Sequence, residues 1–418
     1  MKRVVITGMG IVSPVGNTKS EFFTGLASGK NGIGPVTLFD ASTFPVRFAG
    51  EVKNLNTDEL AACNPALSRI TDRKVFLGYR AAVDALLDSG IINNINSVVS
   101  APLELGLNLG VSLESVRLED IAALRNHGPS SLPIQTPLPI QTPLDTLSNI
   151  LIQQYKLAGS SFVNCSACTA GTQAIGHSFQ KIRSGYADAI LAGGYDSMIN
   201  PLGIGGFALL GALSTQNESP EKASRPFDLL RNGAVLGEGA GMFILEELNH
   251  ALDRGAHIYA EVLGYGSSMD AYKATDPHPE GTGAAAAISR ALSDGGVTPE
   301  MIHYINAHGT STPKNDIAET KAIKTVFAEY AYQVPVSSTK SMTGHLIAAA
   351  GAVEVGACLF ALARNMIPPT INYENPDPEC DLNYTPNRSV SWDGENILTC
   401  SFGFGGQNSA LILGRYKK

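Results

Sequence analysis

Short apolar runs of strand length alternate with helical patterns along the whole chain, and this alternation limits the fold more than any other feature. Val4-Val5-Ile6 reads as a strand, and residues 80–87 carry a helical pattern. Ser161-Phe162-Val163 reads as a second strand. Ile175, Phe179 and Ile182 then fall at i, i+4 and i+7, one face of a helix that Gly185 can end. Further strands are expected at residues 189–192, 242–245, 259–263 and 304–306, and helices at 248–254, 282–293 and 316–330. Strands at 397–401 and 410–413 close the chain around Gly403-Phe404-Gly405-Gly406. Such alternation predicts α/β layers. No Ser/Gly-rich or Pro-rich linker marks a domain boundary.

Composition narrows the function classes. Charged residues are 16% of the chain and glycines number 43 of 418, which implies much buried surface and many tight turns rather than disorder. The formal net charge of −8 leaves no basic footprint, so nucleic acid is excluded as an expected partner. The six cysteines are too sparse and irregular for a disulfide scaffold, so a reducing cytoplasm is expected. The start is basic, at Lys2-Arg3, but its apolar run is too short for a signal peptide. Residues 346–363 have the length of a short membrane span. Glu354, Gly351, Gly356 and the alanines at 348–350 make a central buried helix the expected reading, with no membrane span.

Several segments could carry chemistry. Cys165-Ser-Ala-Cys168 lacks the second ligand pair that a structural zinc needs, so no metal is expected. Cys168 lies at a strand-to-helix junction, where free N–H groups and the helix dipole favour a thiolate and could receive an oxyanion. From the residues alone it is either a nucleophile or a buried structural thiol. His308 follows a strand, and His345 follows Gly344 at the expected start of the long apolar helix. Helix N-termini push imidazoles toward their neutral form, and two neutral rings could hold an enolate oxygen, or both could be structural. Lys340 stands five positions before His345. Ser401-Phe402-Gly403-Phe404-Gly405-Gly406 is either a plain tight hairpin or a backbone donor to a thioester, with Phe402 as a gate. Gly8-Met9-Gly10 mimics the start of a dinucleotide fingerprint, but the third glycine and the distant acid are missing. Residues 132–143 repeat Leu-Pro-Ile-Gln-Thr-Pro twice, and the prolines exclude ordinary helix there, leaving a surface or interface loop.

Together these segments resemble the β-ketoacyl-acyl carrier protein synthases, condensing enzymes of the thiolase superfamily, and in particular the type II elongating synthases. The resemblance rests on Ser166-Ala-Cys168-Thr-Ala-Gly171, Arg225-Pro-Phe-Asp228, Gly237-Glu-Gly-Ala-Gly241, Asn306-Ala-His-Gly-Thr-Ser-Thr-Pro313, Lys340-Ser-Met-Thr-Gly-His345 and Ser401-Phe-Gly-Phe-Gly-Gly406, in that order. It implies a five-layer α-β-α-β-α thiolase-like fold of two similarly folded halves. Residues 1–251 would carry the nucleophilic cysteine and residues 252–418 the two histidines. It implies an acyltransferase that uses no cofactor beyond substrates carried on phosphopantetheine, and that works as a homodimer or with a chain-length-factor-like subunit. Cys168 would take an acyl group from an acyl carrier protein, and malonyl-carrier protein would lose CO2. His308 and His345 would stabilise the enolate, and the backbone N–H groups of Cys168 and Phe402 the oxyanion. Lys340 would orient the histidines with Glu354, and Thr310 and Thr312 would bind the phosphopantetheine arm. Arg69, Arg73 and Lys74 would dock the acidic carrier.

Four departures from the family pattern stand out. They are the segment Gly110-Val-Ser-Leu-Glu-Ser115, the stretch from the Pro-Ile-Gln-Thr repeat to Asp145-Thr-Leu-Ser148, Cys400 in place of an Asn, and Gln407 in place of a Thr. The first two point away from housekeeping fatty-acid synthesis and toward a specialised polyketide pathway. A coenzyme-A-dependent thiolase, with Cys400 as its second cysteine, and a non-catalytic carrier scaffold are the competing readings.

Overall fold

The computed structural model describes residues 1–95, 101–116 and 141–417. Ten strands form its main sheet: β1 (Val4–Val12), β2 (Gly106–Gly110), β3 (Ser161–Asn164), β4 (Ala189–Ser197), β5 (Glu238–Glu247), β6 (Ala260–Met269), β7 (Tyr304–Asn306), β8 (Val336–Ser337), β9 (Asn396–Gly403) and β10 (Gln407–Gly414). Their order across the sheet is β8-β7-β9-β10-β6-β1-β5-β4-β2-β3. Counted within its own half, each set of five therefore runs third, second, fourth, fifth, first. In both halves the outer three strands are parallel and the last two pairings antiparallel. The two first strands, β1 and β6, meet antiparallel at the centre, with Val5 opposite Glu261.

Five helices cover the sheet. α1 (Arg73–Asp88) lies outside the first half, against β1, β5 and β4. α3 (Thr282–Gly295) lies outside the second half, with α4 (Pro313–Phe327) beside it. α2 (Ala170–Arg183) and α5 (Ala350–Arg364) pack on each other and touch strands of both halves. The layers are thus α-β-α-β-α, as expected. Apart from the exposed edge strand β3, the strands are mostly apolar and largely buried because helices cover both sheet faces. α5 and the turn before it account for the one stretch among the described residues long and apolar enough to cross a membrane, and 89% of that stretch is buried in the middle layer. It is a core helix.

The first strands explain the false dinucleotide motif. β1 bulges between Ile6 and Gly8, and β6 bulges between Val262 and Gly264, the equivalent point. A Cβ on Gly10 would sit 1.9 Å from the Ala81 carbonyl oxygen of α1, and one on Gly266 2.2 Å from that of Ala287 in α3. These glycines let each outer helix lie directly on its strand. They are packing devices, used twice.

Two expectations need correction. α1 begins seven residues before the pattern at 80–87, because the Asp72 side chain accepts from the Lys74 N–H and caps it. His345 does not open the long helix. It precedes a separate 3₁₀ turn, Ile347–Ala349. Of the proline repeat, residues 132–140 lie outside the described residues, and Gln141–Thr142 pairs antiparallel with Ser115–Val116.

Gly10→Ala and Gly266→Ala should each destabilise the fold by about 1–3 kcal/mol or more, since the obstacle is backbone that cannot rotate away. Denaturant unfolding of both variants checks this, and the two losses should be of similar size.

Candidate active site

The site is built from two copies of one backbone device. After β3 comes Ala167 at φ +50°, a 3₁₀ turn Ala167–Thr169, and then α2. Late in the second half come Ile347 at φ +50°, the 3₁₀ turn Ile347–Ala349, and then α5. A left-handed conformation is costly for alanine and more so for a β-branched residue, so each turn must be held from outside. The buried Asp196 at the end of β4 holds the second turn by accepting from the Ala348 N–H at 3.0 Å. The first turn carries Cys168, and His345 stands two residues before the second.

Cys168, His308, His345, Phe402, Thr310 and Thr312 line one cavity of about 380 Å³. The imidazole rings of His308 and His345 stand edge to face, with centroids 5.2 Å apart. Lys340 lies behind them, almost fully buried. Its ammonium is paired with the Glu354 carboxylate, donates to the His308 carbonyl, and sits 3.3 Å from His308 Nδ1. His308 Nδ1 is therefore an acceptor. His345 Nδ1 also accepts, from the Ile347 N–H at 3.3 Å. In a neutral imidazole the proton then resides on Nε2, so both rings keep one Nε2–H donor. Burial, reinforced by the Lys340 charge, holds both histidines well below the usual imidazole range. Burial and Lys340 thus replace the helix dipole assumed for His345.

Cys168 overturns a second expectation. Its thiol lies above the usual cysteine range rather than below it. Burial pushes it up to about 11, against the opposing pull of the Phe404 N–H and Lys340. Backbone N–H groups of Phe404 and of Cys168 itself reach this sulfur, whereas the sequence resemblance assigns the oxyanion to the N–H groups of Cys168 and Phe402. Phe402 belongs to β9, and its ring packs on His308 with centroids 5.7 Å apart. Phe404 is half-buried beyond the strand, followed by Gly405 at φ +80° and Gly406 at φ +75°, and its ring stacks on Phe207. Phe404, rather than Phe402, is therefore the candidate for the gate expected from the sequence.

The proposed docking cluster also fails in part. Arg73 forks the buried Glu238 carboxylate at 2.8 Å, and Lys74 is buried with Asp72 at 2.9 Å. Both charges are paired, Arg73 half-buried and Lys74 buried, and Arg69 alone of the three is exposed. The two cysteines of Cys165-Ser-Ala-Cys168 are divided, with Cys165 exposed and donating to the Ser112 carbonyl. Cys400 is buried in β9, and Cys168 is the one thiol among the described residues lining the cavity. No group of three potential metal ligands occurs among the described residues.

Sequence reasoning missed three buried acids. Asp196 is one. Glu319 accepts from the His308 and Gly309 N–H groups at 2.7 Å, and burial pushes it up to about 8. Asp316 accepts from the N–H groups of Phe227 and Thr310, tying the Arg-Pro-Phe-Asp motif to the threonine segment. Only their helical spacing to one another, i and i+3 on α4, was visible beforehand.

Residues 1–251 match the beta-ketoacyl synthase N-terminal domain, and residues 259–374 the C-terminal domain. The chain belongs to the β-ketoacyl synthase family. A 3-oxoacyl-[acyl-carrier-protein] synthase 2 of Synechocystis is 45% identical over 100% of this chain and 99% of its own. Two solved structures are similar over nearly their whole lengths. One is a type II polyketide synthase acyl-carrier protein in complex with its ketosynthase, with 33% identity and a TM-score of 0.85 over 99% of this chain and 100% of that one. The other is the ishigamide ketosynthase/chain length factor, with 34% identity and a TM-score of 0.86 over 100% of both chains. The protein is a condensing enzyme of the acyltransferase class.

Because the Cys168 thiol lies so high, its alkylation should accelerate roughly tenfold per pH unit between about pH 8 and 10. Peptide mass spectrometry after iodoacetamide pulses, read at Cys168 separately from exposed Cys165, checks this. A rate at Cys168 that levels off below pH 8 would contradict it.

Proposed function

We propose that this protein is a β-ketoacyl-acyl carrier protein synthase that lengthens a cysteine-bound acyl chain by decarboxylative condensation, in fatty-acid or type II polyketide assembly. The observation that carries the reading is the pair of neutral imidazoles, each with Nδ1 occupied as an acceptor, lining the cavity that holds Cys168.

In the first half-reaction Cys168 Sγ attacks the acyl thioester. A new carbon–sulfur bond forms, the carrier's carbon–sulfur bond breaks, and the thiol proton ends on the released phosphopantetheine thiol. The N–H groups of Cys168 and Phe404 are the candidate oxyanion donors. In the second half-reaction the malonyl carboxylate leaves as CO2, and its bonding electrons flow into an enolate. The Nε2–H groups of His308 and His345 donate to that oxygen as its charge develops. They are the differential interaction that speeds the step. The enolate carbon then attacks the acyl carbon, the bond to Cys168 breaks, and the sulfur takes up a proton. Lys340, with Glu354, holds His308 in the required tautomer. Thr310 and Thr312, whose hydroxyls pair at 2.8 Å, suit the amide-rich arm of phosphopantetheine.

This chemistry needs no metal and no cofactor beyond that arm. The acyl carrier protein is the expected partner, and the protein would work as a homodimer or beside a chain-length-factor-like subunit, in the cytoplasm. We divide it into halves at 251/252, within the short helix Leu248–Asp253 that joins the end of β5 at Glu247 to the start of β6 at Ala260. Cys400 is buried away from the cavity, which disfavours the thiolase reading.

Cys168→Ala should lose the acyl adduct seen by intact mass while still releasing CO2 from malonyl-carrier protein. Acylation of the variant at the wild-type rate would sink the assignment. His308→Ala should lower decarboxylation by about 10²–10³-fold. Lys340→Met removes the cation that helps keep both rings neutral, so their pKa values rise. The acid limb of kcat/KM should therefore move up by about one pH unit in protein shown to be folded by circular dichroism.

A further inference from the structure

The strained turn behind His345 is held by an acid. Ile347 is β-branched and sits at φ +50°, so the turn Ile347–Ala349 does not hold itself. It is the copy of the turn Ala167–Thr169, and position by position Ala348 is the counterpart of Cys168. At Cys168 the backbone N–H is a candidate oxyanion donor. At Ala348 the same N–H is already occupied, by Asp196 Oδ2 at 3.0 Å. The protein thus fills one of two equivalent anion positions with a carboxylate of its own.

That carboxylate is anchored on its other side. Asp196 Oδ1 accepts from the Ser112 hydroxyl and from the Ser197 N–H, both at 2.9 Å. Asp196, Ser112 and Ala348 are all buried, so a donor that loses the carboxylate stays unpaired. Burial pushes the Asp196 carboxyl up to about 6, against the pull of the Lys74 charge and of these three donors. It is therefore ionised at pH 8. Next to Ala348, the Ile347 N–H donates to His345 Nδ1, which leaves the ring proton on Nε2. Asp196 reaches His345 through this one turn of backbone. Among the described residues, none of its hydrogen bonds goes to the turn that carries Cys168.

We propose, on the condensing reading above, that Asp196 is a positioning residue for decarboxylation alone. By occupying the Ala348 N–H it holds the turn that fixes the His345 tautomer, and it leaves the acylation half-reaction untouched. Asparagine is the discriminating replacement. It has the size of aspartate, but only one of its two terminal atoms accepts, so its NH2 must face either the Ala348 or the Ser197 N–H.

The test reads both half-reactions at pH 8, in variants shown to be folded by circular dichroism. One assay is CO2 release from a bacterial malonyl-acyl carrier protein. The other is single-turnover acylation of Cys168 by hexanoyl-acyl carrier protein, followed by intact mass. Asp196→Asn should lower kcat for CO2 release about 30-fold and leave acylation within about twofold. Ser112→Ala loosens the anchor but keeps the acceptor, and serves even if the first variant does not fold. It should lower CO2 release about three- to fivefold, again with acylation within about twofold. Unchanged CO2 release in either folded variant, or an equal loss in both half-reactions, would overturn the assignment. A wild type that shows neither CO2 release nor acylation would instead sink the condensing reading itself.

Discussion

The site depends on one buried ammonium. Lys340 is enclosed by the Glu354 carboxylate, the His308 carbonyl and the His308 ring. A charge in such a place is tolerable only with all its partners present, and stripping one partner from a buried pair of this kind typically costs about 3–5 kcal/mol. The same group sets chemistry. It occupies His308 Nδ1, opposes protonation of both rings, and offsets part of the burial that raises the Cys168 thiol. Glu354 comes from α5 and His308 from the loop after β7. A single ion pair therefore fixes the middle helix layer to the catalytic edge of the second half.

The rest of the geometry follows from the doubling of the fold. Two five-stranded sets share one order and one bulge, and in each a strained 3₁₀ turn between the third and fourth strands leads into a middle-layer helix. The turns lie close together: a Cβ added to Gly171 of α2 would come within 2.8 Å of the Ala348 carbonyl oxygen. One copy presents sulfur, and the other carries an imidazole just ahead of it. The halves share a scaffold and differ in what they place upon it, which is how a nucleophile and an enolate-stabilising pair come to line one cavity.

Much of this was legible in the chain. Strand-length apolar runs announced the layers, and Cys168, His308 and His345 were visible because each sits in a motif that bends sharply after a strand. What could not be read was set by distance in sequence. Arg73 and Lys74 look like a surface cluster until Glu238, on β5, is folded beneath one and Asp72 beside the other. The choice between Phe402 and Phe404 turns on where β9 ends, and strand ends are decided by pairing with β10 rather than by local pattern. Asp196 and Glu319 gave no signal because their partners, apart from the Ser112 hydroxyl on Asp196, are backbone N–H groups, which almost every residue possesses.

The high position of the Cys168 thiol has a consequence beyond catalysis. Peroxides and other cellular oxidants react with thiolate, not with thiol. Burial holds the group above its usual range, so less of it is thiolate at neutral pH while the enzyme waits for substrate. Burial of the sulfur thus makes the idle enzyme harder to oxidise.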